Sequence, residues 1–269
     1  MKQLFILSVT LFSVALSLKE TALQVLMKDY DKASPPSYPE IMRVGFDFNI
    51  NSITGIAEDN MLATINGISY LSWVDPNLAF ENNNNIDPYF KRKGRINLED
   101  DRYEIWNPRI MFSNTGQQKN VTETAYLYAN GTVLWVTQYE LIVNCIFNFA
   151  EIPSDSHYCN FYPYQDDLYD TLGDLYHLSL FPSEQQLSYR TYQVSMVYEG
   201  RFDIMQSADL SGRLPGMGYT LYLNRQPLFL FKVFIIPSLL FVILAYSSFY
   251  VNKESAPARV TLSITNILN

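Results

Sequence analysis

Between Val44 and about Leu223, apolar and polar residues take turns in short runs. Phe46-Asp47-Phe48-Asn49-Ile50 alternates, and the run from Thr132 to Trp135, after the turn pair Asn130-Gly131, reads the same way. A period of two puts successive side chains on opposite faces of a strand, so each run predicts a half-buried β-strand, and Asn-Gly between runs predicts a hairpin. Many short strands separated by turns predict an all-β sandwich of immunoglobulin-like architecture. Before it, Leu23, Leu26, Met27 and Tyr30 recur at helical spacing and Pro35-Pro36 and Pro39 follow, which predicts an N-terminal helix. Asn82 to Asn85 reads as a polar tip, and Asp166-Asp167 opens an acidic, Tyr-rich loop.

At Pro227 the pattern changes. Leu228 to Val251 is almost wholly apolar, with Lys232 its one charge, near the end where a long amine side chain reaches the interface. About 20 such residues span a bilayer core of about 30 Å, so 227–251 is expected to be a membrane helix, and Pro237 is tolerated within it. A short loop, 252–256, leads to Pro257, a residue suited to opening a helix. From there Ala258, Thr261, Thr265 and Leu268 share one stripe of a helix whose other positions (Val260, Leu262, Ile264, Ile267) are apolar. Small polar side chains on one stripe of an apolar helix read as a wall facing water. Residues 257–269 are too few to cross a bilayer, and the chain is expected to be a fragment cut within this second helix.

The opening residues change the expected compartment. Lys2 precedes an apolar run, and Ala15 and Ser17 place small side chains where a signal peptidase cuts, so 1–17 is expected to be a signal peptide; a buried N-terminal helix is the alternative. In an oxidising compartment the only cysteines, Cys145 and Cys159, are expected to pair, closing a loop of about 15 residues worth roughly 3 kcal/mol. Asn120 and Asn130 head Asn-x-Thr sequons. The 20 Tyr and 17 Phe favour strands. A net charge of -8, with no cluster of Lys and Arg evident, argues against nucleic acid as a partner. Only His157 and His177 are available to a metal, and neither lies in a ligand-spaced group, so no cofactor is expected.

From about Leu23 to its end, the chain resembles the Cys-loop receptors, in particular the glycine- and GABA-gated chloride channels. Trp73-Val74-Asp75-Pro76-Asn77-Leu78 is similar to the family's Trp-x-Asp-x-Arg-Leu, with Asn77 for Arg. Ile105-Trp106-Asn107-Pro108 with Phe112-Ser113-Asn114 resembles the next block, although Arg109 replaces its usual Asp. The cysteines have the family spacing, with Pro153 and Asp155 in place and Ile152 where an aromatic is usual. Arg225, Ile236-Pro237-Ser238-Leu239-Leu240 and Pro257-Ala258-Arg259-Val260-Thr261-Leu262 complete the series in order.

The resemblance implies an extracellular ligand-binding domain over 18–226, membrane helices, and a pentamer of like subunits in the plasma membrane. Its agonist is a small molecule bound between neighbours, and the Cys loop, carrying Phe147, Phe149 and Ile152, relays binding to the lipid-embedded pore. The implied agonist residues are Phe112, Tyr198 and Phe202 on one face, able to hold an ammonium group by cation–π attraction, with Ile68 and Tyr70 facing them. Ordinary core packing competes for each of these aromatics; Trp73 and Trp106 are assigned to the core. Tyr70 stands where the amino-acid receptors carry an Arg for the agonist's carboxylate, which speaks against glycine and GABA. Tyr162 or Tyr164 stands in for an aromatic missing after Cys159. Five copies of Arg259 imply a ring of positive charge at the cytoplasmic mouth, and Pro257-Ala258 before it, where cation channels carry Glu, implies chloride selectivity. Glu254 lies too far back for that role. Leu268 matches the family's hydrophobic gate. No catalytic arrangement is visible, so an enzyme is not expected. The competing reading is a non-conducting single-pass or secreted binding protein of the same fold.

Overall fold

The computed structural model describes residues 22–37, 40, 42–98, 102, 104–165, 173–205, 213–250, 257 and 261. Its strands are β1 (Met42–Ala57), β2 (Leu62–Val74), β3 (Arg95–Asn97), β4 (Ile110–Ser113), β5 (Thr115–Tyr128), β6 (Thr132–Asn144), β7 (Ser156–Gln165), β8 (Gly173–His177), β9 (Glu184–Tyr189), β10 (Tyr192–Met205) and β11 (Arg213–Arg225). Period-two patterning is cleanest in β2 and β6, which bury every second side chain and pair antiparallel from Leu62↔Asn144 to Val74↔Thr132. The Asn130-Gly131 hairpin joins β5 to β6, and Gly131 is required twice there. Its φ is +85°, and a Cβ would lie 2.3 Å from the Asp75 carbonyl oxygen.

One sheet runs β3-β5-β6-β2-β1-β8, with β8 parallel to β1; the second runs β4-β7-β11-β10-β9. They face each other across an aromatic core. Phe46 and Phe48 of β1 meet Phe112 of β4 and Tyr219 of β11 edge-on, with centroids 5.7–6.4 Å apart, and Phe161 of β7 stacks on Tyr219 at 5.6 Å. Trp73 and Trp106 are buried and meet edge-on at 5.8 Å, as assigned. Helical residues 22–27 (α1) bury Ala22, Leu23 and Leu26 on the sandwich, and the following turn is tied down by the Tyr30 hydroxyl, which donates to the buried Asp75 carboxylate at 2.7 Å.

Two expectations need correction. Asp47, polar in an alternating run and expected to face solvent, is 2% exposed between Phe46 and Phe48. A basic cluster does exist: the short helix α2 (Pro88–Lys93) ends in Lys91, Arg92 and Lys93, and Arg95 follows its left-handed cap Gly94. These residues are contiguous in the sequence, and the last turn of α2 with its Gly94 cap presents them together. The acidic loop at Asp166-Asp167 lies outside the described residues.

Pro227–Ser247 forms one helix, α3, including a π-helical stretch at Phe231–Ile235, long and apolar enough to cross a membrane. Its large side chains are exposed on all sides, as a lipid-facing span requires.

Candidate functional site

The chain's polar machinery concentrates where β11 runs into α3. Cys145, just past β6, is bonded to Cys159 in β7, so the intervening loop leaves and re-enters the sandwich at one point. That loop carries Asp155, whose side chain is fully buried. Arg225, the last residue of β11, reaches it with Nε 2.8 Å from Oδ1 and 3.1 Å from Oδ2, while the Arg225 N–H donates to the Asp155 carbonyl at 3.0 Å. The same guanidinium approaches Glu58, in the β1–β2 turn, at 3.1 Å and lies over the Tyr192 ring at 4.7 Å, and the Tyr192 hydroxyl donates to Glu58 at 2.6 Å. His157 completes the group. Its Nδ1 accepts the Asn148 N–H at 3.1 Å, which leaves the ring proton on Nε2, 2.6 Å from Asp155 Oδ2.

Charge follows this geometry. Burial pushes the Asp155 carboxyl up, but the Arg225 guanidinium, the residue's own backbone N–H and His157 together outweigh it and hold the carboxyl below the usual carboxylate range. Glu58 is likewise held down against its burial, by Tyr192 and Arg225. Burial and the hydrogen bond to Glu58 drive the Tyr192 phenol up. The Arg225 guanidinium is therefore clamped by carboxylates from two separate loops, two residues before the helix begins at Pro227.

The apolar tip of the Cys-bridged loop is divided. Phe147 is buried against His157 at 4.7 Å, while Phe149, stacked on it at 6.0 Å, and Ile152 are exposed along with Ile146. Phe149 and Ile152 are thus presented outward as expected, and Phe147 instead holds the loop to its domain.

The expected agonist aromatics separate. Phe112 is 6% exposed and surrounded by Phe46, Phe48, Tyr139 and Phe161, so core packing is the role it takes. Its neighbour Met111, unnoticed in the sequence, is the outward side chain of β4 at 42% exposure and pairs across to Tyr164. Tyr198 is half-buried and stacks on His177 with centroids 4.0 Å apart, tilted against Tyr219 at 5.4 Å. Tyr70, opposite Asp47 in the β1–β2 register, meets Phe181 at 5.3 Å. Ile68 sits two positions before it on β2. Phe202 lies in β10 opposite Gly216.

Asp47 links Tyr198 to Tyr70 within one subunit. It accepts the N–H groups of Leu180 at 2.6 Å and Phe181 at 3.1 Å, and His177 Nε2 lies 3.4 Å from its other oxygen. A buried carboxylate satisfied by backbone amides anchors the β8–β9 loop to β1. No periodicity signals such a residue; a charged side chain between two Phe was the one available hint.

Asn120 is exposed on β5, its amide donating to Glu123 at 2.7 Å, and Asn130 is exposed at the β5–β6 turn. Pro257 and Thr261 are helical, and the Thr261 hydroxyl donates to the Pro257 carbonyl at 2.8 Å. Ala258, Arg259, Thr265 and Leu268 lie outside the described residues. Among the described residues, no group of His, Cys, Asp and Glu could hold a metal ion.

A β-sandwich whose disulfide-closed loop is clamped to the strand end that leads into a membrane helix defines a class, the ligand-binding receptors built into membrane channels. Residues 19–171 match the neurotransmitter-gated ion-channel ligand binding domain and residues 234–269 the neurotransmitter-gated ion-channel transmembrane region, and the chain belongs to this family. It is 25% identical to pH-sensitive chloride channel 2 of Drosophila melanogaster, over 89% of this chain and 48% of that protein. It is 26% identical to rat gamma-aminobutyric acid receptor subunit rho-3, over 90% of this chain and 52% of that protein. Mouse gamma-aminobutyric acid receptor subunit gamma-3 is 25% identical over 91% and 52%. The chain spans about half the length of these curated relatives. The family is one of ligand-gated channel receptors, not enzymes.

Proposed function

We propose that this chain supplies the extracellular domain (18–226), first membrane helix (227–251), short cytoplasmic loop (252–256) and start of the pore helix (257–269) of a subunit in a pentameric, agonist-gated chloride channel of the plasma membrane. Residues 1–17 act as its signal peptide. The observation that carries this reading is the Arg225 clamp. It ties the Cys-bridged loop through Asp155, and the β1–β2 turn through Glu58, to the point where α3 begins. A small movement of either loop therefore has a direct mechanical route into the membrane helix. Chloride selectivity rests on Pro257-Ala258-Arg259, where a ring of Arg259 from neighbouring subunits attracts anions and Ala258 adds no carboxylate to oppose it. Chloride-channel relatives support the same sign. Thr261 and Thr265 line the water path and Leu268 closes it.

The agonist site lies between subunits, with Tyr198 and Phe202 on one face and Tyr70 on the other. Without an Arg at Tyr70, the site favours a small amine over an amino acid, because aromatic rings hold the ammonium group and nothing grips a carboxylate. Cells expressing the subunit from its full transcript, perfused in turn with small amines and with glycine and GABA, test this. Currents opened by an amine and diminished by Tyr198→Ala are expected; currents opened by glycine or GABA and indifferent to Tyr198 contradict it.

A further inference from the structure

β7 and β11 turn their even-numbered side chains away from the core, and along this outward face the residues alternate in size. Tyr158 and Tyr222 are direct cross-strand partners, Asn160 and Thr220 are the next such pair, and Tyr162 follows on β7. The Thr220 hydroxyl donates to Asn160 Oδ1 at 3.1 Å, giving a low hydrogen-bonded floor with tyrosines rising at both ends. The result is a groove of about 360 Å³ lined by Tyr158, Asn160, Tyr162, Glu199, Thr220 and Tyr222. Tyr158 and Tyr222 keep 40% and 38% of their surface in solvent.

Glu199 reaches the groove through an irregularity of the backbone. The β10–β11 register slips between Tyr198 and Gly200, and Gly200 has φ +126°, a conformation that side chains rarely adopt. Glu199 is the extra residue of this bulge. Tyr198 points inward to His177 and Tyr219, and Glu199 outward, where the Tyr222 hydroxyl donates to its Oε1 at 3.2 Å. Among the described residues no cation pairs with Glu199, and it is the only charged side chain lining the groove.

We propose that this groove binds an organic ammonium ion. Tyrosine ring faces and a single carboxylate present negative potential from several directions around a floor too small to fill the space, a combination that suits a compact cation and repels an anion. The volume is that of a small-molecule site. Every lining residue comes from one subunit, and Tyr70, Tyr198 and Phe202 of the site proposed between subunits are not among them; Tyr162 is the one lining residue the sequence also offered as an agonist aromatic, and the assignment rests on Glu199 and the Tyr158–Tyr222 pair rather than on it.

The test is binding of tetramethylammonium to the whole chain in detergent micelles, followed by saturation-transfer NMR on its methyl protons, with neutral neopentyl alcohol as the comparison. Saturable tetramethylammonium binding is expected, with no matching signal from the alcohol. Glu199→Gln and Tyr222→Ala should each weaken it about tenfold, Tyr222→Phe should retain most of it by keeping the ring, and Tyr89→Ala, at an exposed ring on α2, should leave it unchanged. An unchanged thermal midpoint in each variant separates lost binding from lost folding. The proposal is overturned if no saturable binding occurs, if the alcohol binds equally well, or if Glu199→Gln binds like the parent. Binding abolished by Tyr70→Ala but kept in Glu199→Gln also overturns it, by assigning the ion to the subunit boundary.

Discussion

Arg225 and Asp155 meet through both side chain and main chain: the guanidinium Nε lies 2.8 and 3.1 Å from the two carboxylate oxygens, and the Arg225 N–H binds the Asp155 carbonyl. The pair couples residues 70 positions apart. Its geometry leaves little freedom between the Cys-bridged loop and the end of β11, two residues before the membrane helix.

Removing one partner of a buried ion pair strands the other charge. With Asp155 fully buried and Arg225 nearly so, Arg225→Ala should destabilise the extracellular domain by about 3 kcal/mol. Arg225→Lys keeps the charge but not the two-pronged contact and should lose less. Denaturant unfolding of the chain in micelles, followed by Trp fluorescence, measures both. A loss under about 1 kcal/mol for Arg225→Ala would place the pair among ordinary surface contacts.

The same clamp sets an acid limit. Asp155 and Glu58 are held below their usual range in the folded protein, so each contributes stability that is present above the unfolded carboxylate range, near pH 4, and lost as pH falls through the lowered folded value. The contribution of these two carboxylates should be flat from about pH 7 to 5 and decline below about pH 4. The difference between the parent and Arg225→Ala should shrink over that same acid interval, since a protonated Asp155 no longer needs the guanidinium. Unfolding midpoints across pH for the two proteins check this.

Asp47 makes a separate prediction for the β8–β9 loop. Asp47→Ala leaves the N–H groups of Leu180 and Phe181 without their acceptor and frees His177, at a cost of about 1–3 kcal/mol. The loss should be local first, so limited proteolysis is expected to cut near Leu180, which is already exposed, well before the sandwich unfolds. Asp47→Asn, which retains one acceptor oxygen, should resist cleavage better. Equal cleavage of Asp47→Ala and the parent would contradict the anchoring role.

Sequence pattern carried the regular parts of the fold and failed where a contact partner is distant. β6 is legible because both its neighbours and the opposite sheet favour one phase along its whole length. In β1 the phase is hidden, because Asp47 is buried for the amides of residues over 130 positions away. β4 is only 4 residues long, too short for alternation to decide whether Met111 or Phe112 faces the core. The disulfide and the membrane span were readable as chemistry and spacing, and Arg225 only as a position in the family resemblance. The clamp was not, since Glu58 and Asp155 from two loops and Tyr192 at the start of β10 come together only when the chain folds around one strand end. The basic run from Lys91 to Arg95 is contiguous and legible in the sequence despite the net charge of -8; the structure adds the helix end and the left-handed Gly94 that present it as one turn.

The central claim, an anion-selective pore, is tested most directly by the reversal potential of the agonist-evoked current. In cells expressing the subunit from its full transcript, replacing most external chloride with a large impermeant anion should shift reversal positively, following the chloride equilibrium potential, and Ala258→Glu should weaken that shift. A reversal potential that ignores chloride and instead tracks external sodium or potassium would contradict the account.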